Sequence, residues 1–93
     1  MGKNITLEYR VVVYSKASCT PTNDFLEHCK QNNHDLIYLR IRDSEFPQIP
    51  YDFEYSQVEE LYGRKFYSMP IIFINEEYIS SLKEAYSVLK REG

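Results

Sequence analysis

Apolar residues first gather in a short unbroken run. Arg10-Val11-Val12-Val13-Tyr14 is rich in β-branched side chains, lies between polar residues, and predicts a buried strand. Ser15 to Ser18 reads as a polar turn. From Thr20 or Pro21 to about Gln31 the spacing changes: Phe25, Leu26 and Cys29 recur at three and four residues and predict a helix. Pro21 and Asp24 suit its first turn, and Asn32-Asn33 end it. Leu36 to Arg42 forms a second strand whose apolar run becomes alternating, the pattern of a face leaving the core.

Asp43 to Asp52, with Pro47 and Pro50, breaks both periods and predicts a connecting loop. Over Phe53–Tyr62 the helical spacing returns, with Val58, Leu61 and Tyr62 on one face and Gly63 at the C-terminal cap. Ile71-Ile72-Phe73-Ile74 is the most apolar strand. Asn75-Glu76-Glu77 turns it into Tyr78-Ile79. Ser80 or Ser81 caps a last helix built on Leu82, Ala85, Tyr86 and Leu89, and Lys90 and Arg91 close it with the charge its dipole favours. The predicted order is βαβαββα. A strand-helix-strand opening implies a parallel pair, and the closing hairpin adds antiparallel strands. The expected fold is α/β: a four-stranded mixed sheet flanked by three helices, on both faces.

Composition narrows the class. At 93 residues and 11.1 kDa, one domain over residues 1–93 is expected. With 14 acidic and 11 basic side chains the net charge is -3, which argues against a nucleic-acid partner. No long apolar run suggests a membrane span, and the N-terminus lacks an apolar signal region, so the expected setting is cytoplasmic. The two cysteines cannot build a disulfide framework. The order Cys19, His28, Cys29, His34 lacks paired ligand spacing, so no metal is expected.

Cys19 stands between a strand and a helix start, where backbone N–H groups and the helix dipole stabilise a thiolate. The surrounding residues Val11-Val12-Val13-Tyr14-Ser15-Lys16-Ala17-Ser18-Cys19 resemble the segment of glutaredoxins that leads to the reactive cysteine. Ser68-Met69-Pro70 before Ile71–Ile74 resembles that family's Thr-Val-Pro element, and Leu61-Tyr62-Gly63-Arg64-Lys65 the basic segment upstream of it. The resemblance covers roughly residues 10 to 90. It implies a thioredoxin-like fold, a cis Pro70 facing the cysteine, and glutathione as co-substrate. It also implies glutathione or peptide binding by Lys16, Met69, Pro70, Leu82 and Lys83. Small, divergent chains of this kind are common among bacteriophage proteins, and a viral origin is an expectation of the resemblance alone.

The active-site turn Cys19-Thr20-Pro21-Thr22 has threonine where dithiol members carry a second cysteine, so the chain resembles a monothiol member. Thr22 is expected to donate to the Cys19 sulfur without resolving a disulfide. Cys29 lies ten residues further on, about 15 Å along a helix, beyond the roughly 7 Å that a disulfide tolerates between Cα atoms. Cys29 is therefore read as core. Ser80-Ser81 stands where the family has Gly-Gly, Lys83 where it often has an acid, and Asp24 one turn from Cys19 opposes thiolate formation. Thr20-Pro21-Thr22 also differs from the Gly-Phe-Ser of cluster-bridging members.

Residues 43–60 hold six acids and no Lys or Arg, with Tyr51, Phe53 and Tyr55 among them. They read either as a solvated loop with rings folded onto the sheet or as an acidic, aromatic surface for a basic protein partner. Arg64, Lys65, Phe66 and Tyr67 would form an opposing basic, aromatic rim, or an ordinary surface loop. Two functions follow. One is a thiol-disulfide oxidoreductase in which Cys19 forms a mixed disulfide with glutathione or a protein thiol. The alternative is a redox-inactive protein-binding module that uses the Met69-Pro70 edge and the acidic loop.

Overall fold

The computed structural model describes residues 8–16, 20–67 and 69–92. Its elements are β1 (Val11–Ser15), α1 (Thr20–Gln31), β2 (Leu36–Arg40), α2 (Tyr55–Tyr62), β3 (Ile71–Ile74), β4 (Glu77–Ile79) and α3 (Leu82–Glu92). The sheet runs β2-β1-β3-β4, with β1 and β2 parallel and the other two pairings antiparallel. This is the expected βαβαββα arrangement.

Alternation along the two central strands divides the core. Val11 and Val13 of β1, with Ile72 and Ile74 of β3, meet Phe25, Leu26 and Cys29 of α1 and Ala85, Val88 and Leu89 of α3. Val12 and Tyr14, with Ile71 and Phe73, point the other way and meet Val58 of α2, Ile41 and Phe66. Each large aliphatic or aromatic side chain buried this way contributes about 1.5–3 kcal/mol. Central position explains why β1 and β3 are buried at every residue, while the edge strand β2 is half-buried throughout.

The helix ends follow local chemistry. Asn33 adopts a left-handed conformation (φ 59°) after α1, and the His34 N–H returns to the Cys29 carbonyl at 2.9 Å. Gly63 closes α2 at φ 65°, and its N–H reaches the carbonyls of Glu59 and Glu60. Gln57 Oε1 accepts the Glu54 N–H at 2.7 Å, and this contact starts α2 at Tyr55 rather than Phe53. Ser81 is the cap of α3: its hydroxyl accepts the Glu84 N–H at 3.2 Å, while Ser80 donates to the Glu84 carboxylate at 3.0 Å.

Other boundaries also move. β2 stops at Arg40 because the chain re-pairs there: Asp52 and Phe53 N–H donate to the Arg40 carbonyl, and Asp52 Oδ2 accepts the Arg40 N–H at 2.8 Å. With the Ile41–Phe53 bridge, this covers the outer end of an edge strand. The β3–β4 turn is two residues, Asn75 (φ 52°) and Glu76 (φ 71°), so Glu77 already belongs to β4. Leu61 is 39% exposed and leaves the core to Tyr55, Val58 and Tyr62. Those three recur at three and four residues, so α2 is rotated slightly from the expected face.

Candidate functional site

Cys19 and the two residues before it, Ala17 and Ser18, lie outside the described residues, as does Ser68. Their neighbours frame the site. Thr20 is the first residue of α1, so the chain joins Cys19 directly to that helix's N-terminus. Thr20 and Pro21 are exposed, whereas Thr22 is fully buried. The Ser15 hydroxyl at the end of β1 donates to Thr22 Oγ1 at 3.4 Å, tying strand to helix. Thr22 thus presents its hydroxyl inward, towards the end of β1.

Lys16 follows β1 and is exposed, and its carbonyl accepts the Tyr38 hydroxyl at 3.1 Å. It lines a groove of about 400 Å³ with Met69, Tyr67, Tyr55, Arg42 and Glu54 among its walls. The Met69-Pro70 peptide is cis, and both residues are half-buried. Two predicted site residues, Lys16 and Met69, therefore meet in one groove. Leu82 sits elsewhere, packed against the core on the α1/α3 side, and Lys83 is exposed in the first turn of α3.

The acidic stretch is largely engaged in local structure. Glu54 pairs with Arg42 at 3.2 Å, Asp43 Oδ1 accepts the Glu45 N–H at 3.0 Å, and Asp52 holds Arg40. Glu59 Oε2 accepts the Phe66 N–H at 3.0 Å, and its Oε1 stands 3.8 Å from Lys65 Nζ. Phe53 and Tyr55 fold onto the sheet side: Phe53 meets Tyr14 edge-on at 5.8 Å, and the Tyr55 hydroxyl donates to the Phe66 carbonyl. Tyr51 remains 44% exposed. On the facing rim, Arg64 lies over the Tyr78 ring at 4.3 Å and Phe66 is buried, which leaves Tyr67, 89% exposed, beside the groove.

Cys29 behaves as expected of a core thiol. It is fully buried, and burial pushes its pKa up to about 11, against a smaller opposing pull from Arg10. A thiol in that state is a poor nucleophile at neutral pH. A feature outside the sequence reading is the Tyr14–Tyr62 hydroxyl pair, 2.7 Å apart across 48 residues. Burial raises both pKa values, and no local pattern in the sequence announces such a pair. Among the described residues no group of three or more His, Cys, Asp or Glu side chains is placed to hold a metal ion, and no helix is long and apolar enough to cross a membrane.

Comparison with solved structures gives a match over nearly the whole chain. The solution structure of the dithiolic glutaredoxin 2-C-Grx1 from the pathogen Trypanosoma brucei brucei is similar with a TM-score of 0.60 and 19% sequence identity, covering 98% of this chain and 91% of that one. No protein-family model and no curated protein sequence matches the chain. The chain has the thioredoxin-like fold found in that glutaredoxin.

Proposed function

We propose that the protein is a glutaredoxin-like thiol-disulfide oxidoreductase acting through Cys19 alone. The observation that carries this reading is the groove that brings Lys16, at the end of β1, together with Met69 of the cis Met69-Pro70 peptide. Cys19 precedes the first residue of α1, where helix amides favour its thiolate. The thiolate attacks the glutathione sulfur of a glutathionylated protein thiol. A Cys19–glutathione disulfide forms, the protein–glutathione S–S bond breaks, and the protein thiolate leaves. Reduced glutathione then attacks the glutathione sulfur of the Cys19 mixed disulfide, which releases the Cys19 thiolate and oxidised glutathione, so that the substrate is reduced and glutathione oxidised. A protein disulfide serves as the alternative substrate.

Lys16 supplies positive charge for a glutathione carboxylate, and Met69 and Pro70 offer an edge to its extended backbone. Thr20, Pro21 and Thr22 shape the turn, with Thr22 unable to resolve the mixed disulfide. Leu82 and Lys83 belong to the glutathione side of the proposal through the resemblance alone. A second reading, a protein-binding module without turnover, rests on exposed Tyr67 beside the groove and exposed Tyr51.

Intact mass after incubation with oxidised glutathione separates the two. One rapid adduct is expected, absent from Cys19→Ser and reversed by reduced glutathione. No adduct, or one that persists in Cys19→Ser, would overturn the redox reading.

A further inference from the structure

A second cavity lies on the opposite face of the sheet from the α2 aromatic cluster. It measures about 390 Å³ and is lined by His28 and Asn32 of α1 and its C-terminal turn, His34, and Tyr86, Leu89 and Lys90 of α3. That volume falls at the lower end of the range of small-ligand clefts. None of the six lining side chains is a carboxylate, in a chain whose net charge is -3.

His28, His34 and Lys90 can each donate to an anion, while the Asp24 carboxylate acts on Tyr86 from outside the lining. An Arg10 guanidinium N–H donates to His34 Nδ1 at 3.1 Å, so neutral His34 carries its ring proton on Nε2 and is available there as a donor. Burial, then the positive charge of Arg10 and the neighbouring His28, lower the His34 pKa, as crowding among cationic groups does. Lys90 adds an exposed ammonium on the α3 side. The apolar part is ordered: the His28 and Tyr86 rings meet edge-on at 5.1 Å, Phe25 braces Tyr86 at 5.2 Å, and Leu89 is buried behind them. Asn32 Nδ2 donates to the His28 carbonyl at 2.8 Å and holds that corner of α1 in place.

We propose that this cavity binds a small organic anion, a carboxylate or phosphate carried on a planar apolar body. The charged head sits among Lys90, His28 and His34, and the body lies against Tyr86 and Leu89. The site is separate from the Lys16–Met69 groove and stands whether or not Cys19 is redox active.

The test is a ¹H–¹⁵N NMR titration of the full chain with phenyl phosphate and with benzoate, beside inorganic phosphate and the neutral analogue benzamide. Saturable shifts confined to the surroundings of His28, His34, Tyr86 and Lys90 are expected with at least one organic anion, and the better probe identifies the head group. Lys90→Gln, an exposed position, should weaken that binding roughly fivefold. The proposal is overturned by shifts that do not saturate with either anion or do not localise there, or by equal binding of benzamide. Inorganic phosphate binding as tightly as phenyl phosphate, or an unchanged affinity in Lys90→Gln, would overturn it as well.

Discussion

The two faces of the sheet are built from the same two strands and differ in kind. Towards α1 and α3 the strands send Val11, Val13, Ile72 and Ile74 into a mostly aliphatic layer that encloses Cys29. Towards α2 they send Tyr14 and Phe73 into an aromatic layer, where Phe73 stacks on Tyr62 at 4.4 Å and Tyr62 shares a hydrogen bond with Tyr14. The aliphatic face gains by close packing and makes its thiol inert. The aromatic face keeps polar atoms inside and must partner each of them, which ties its stability to specific geometry. The Lys16–Met69 groove borders this second face, with Tyr55, Ile41 and Met69 common to both.

Large truncations on either face give the strongest test. Phe25→Ala and Phe73→Ala should each cost about 3–5 kcal/mol, a large part of the stability of a small domain. Denaturant unfolding checks this. Similar losses and a single shared transition would mean that the faces fold as one unit, whereas a biphasic curve for Phe73→Ala alone would separate them.

A smaller effect addresses the polar interior. Tyr14→Phe and Tyr62→Phe should each cost about 1–2 kcal/mol, because each strands a half-buried or buried hydroxyl. The double variant should recover part of the sum, since it removes both partners. The pair also contributes, after the raised Cys29 thiol, to the loss of stability at alkaline pH. Its pKa values are raised in the folded state, so unfolded tyrosines lose protons first as pH rises past about 10, and the folded state is disfavoured from there upward. Absorbance at alkaline pH should show these hydroxyls ionising together with unfolding, and an ordinary titration of all tyrosines in folded protein would contradict the pairing. Ser81→Ala is the mildest change, about 1 kcal/mol from loss of the α3 cap, measurable as a lower thermal midpoint.

Much of this architecture is legible in the sequence because it is local. The β3 run, the α1 spacing that buries Phe25, Leu26 and Cys29, and the serine cap of α3 are set by residues within a turn or two of one another. Departures arise where distant groups decide. Arg40 ends β2 because Asp52 and Phe53 return to it, and α2 shows Tyr55 rather than Leu61 to the core because Tyr55 finds the Phe66 carbonyl. The acids of residues 43–60 look like a surface charge run in the sequence, yet several are bound to nearby backbone or to Arg42 and Lys65. For the candidate site, Lys16 and Met69 were readable through the resemblance. The anion cavity was not, because His28 and His34 acquire meaning only when α3 brings Tyr86 and Lys90 beside them.

Cys29 is silenced in the aliphatic core, and Cys19 is proposed as the reactive thiol. Peptide-resolved alkylation by iodoacetamide across pH 5 to 10 compares the two. Cys19 should be modified with an apparent pKa below the free-thiol value of about 8.5, while Cys29 should stay unmodified until the protein unfolds. Equal rates at the two cysteines, or Cys29 reacting first in folded protein, would contradict that assignment.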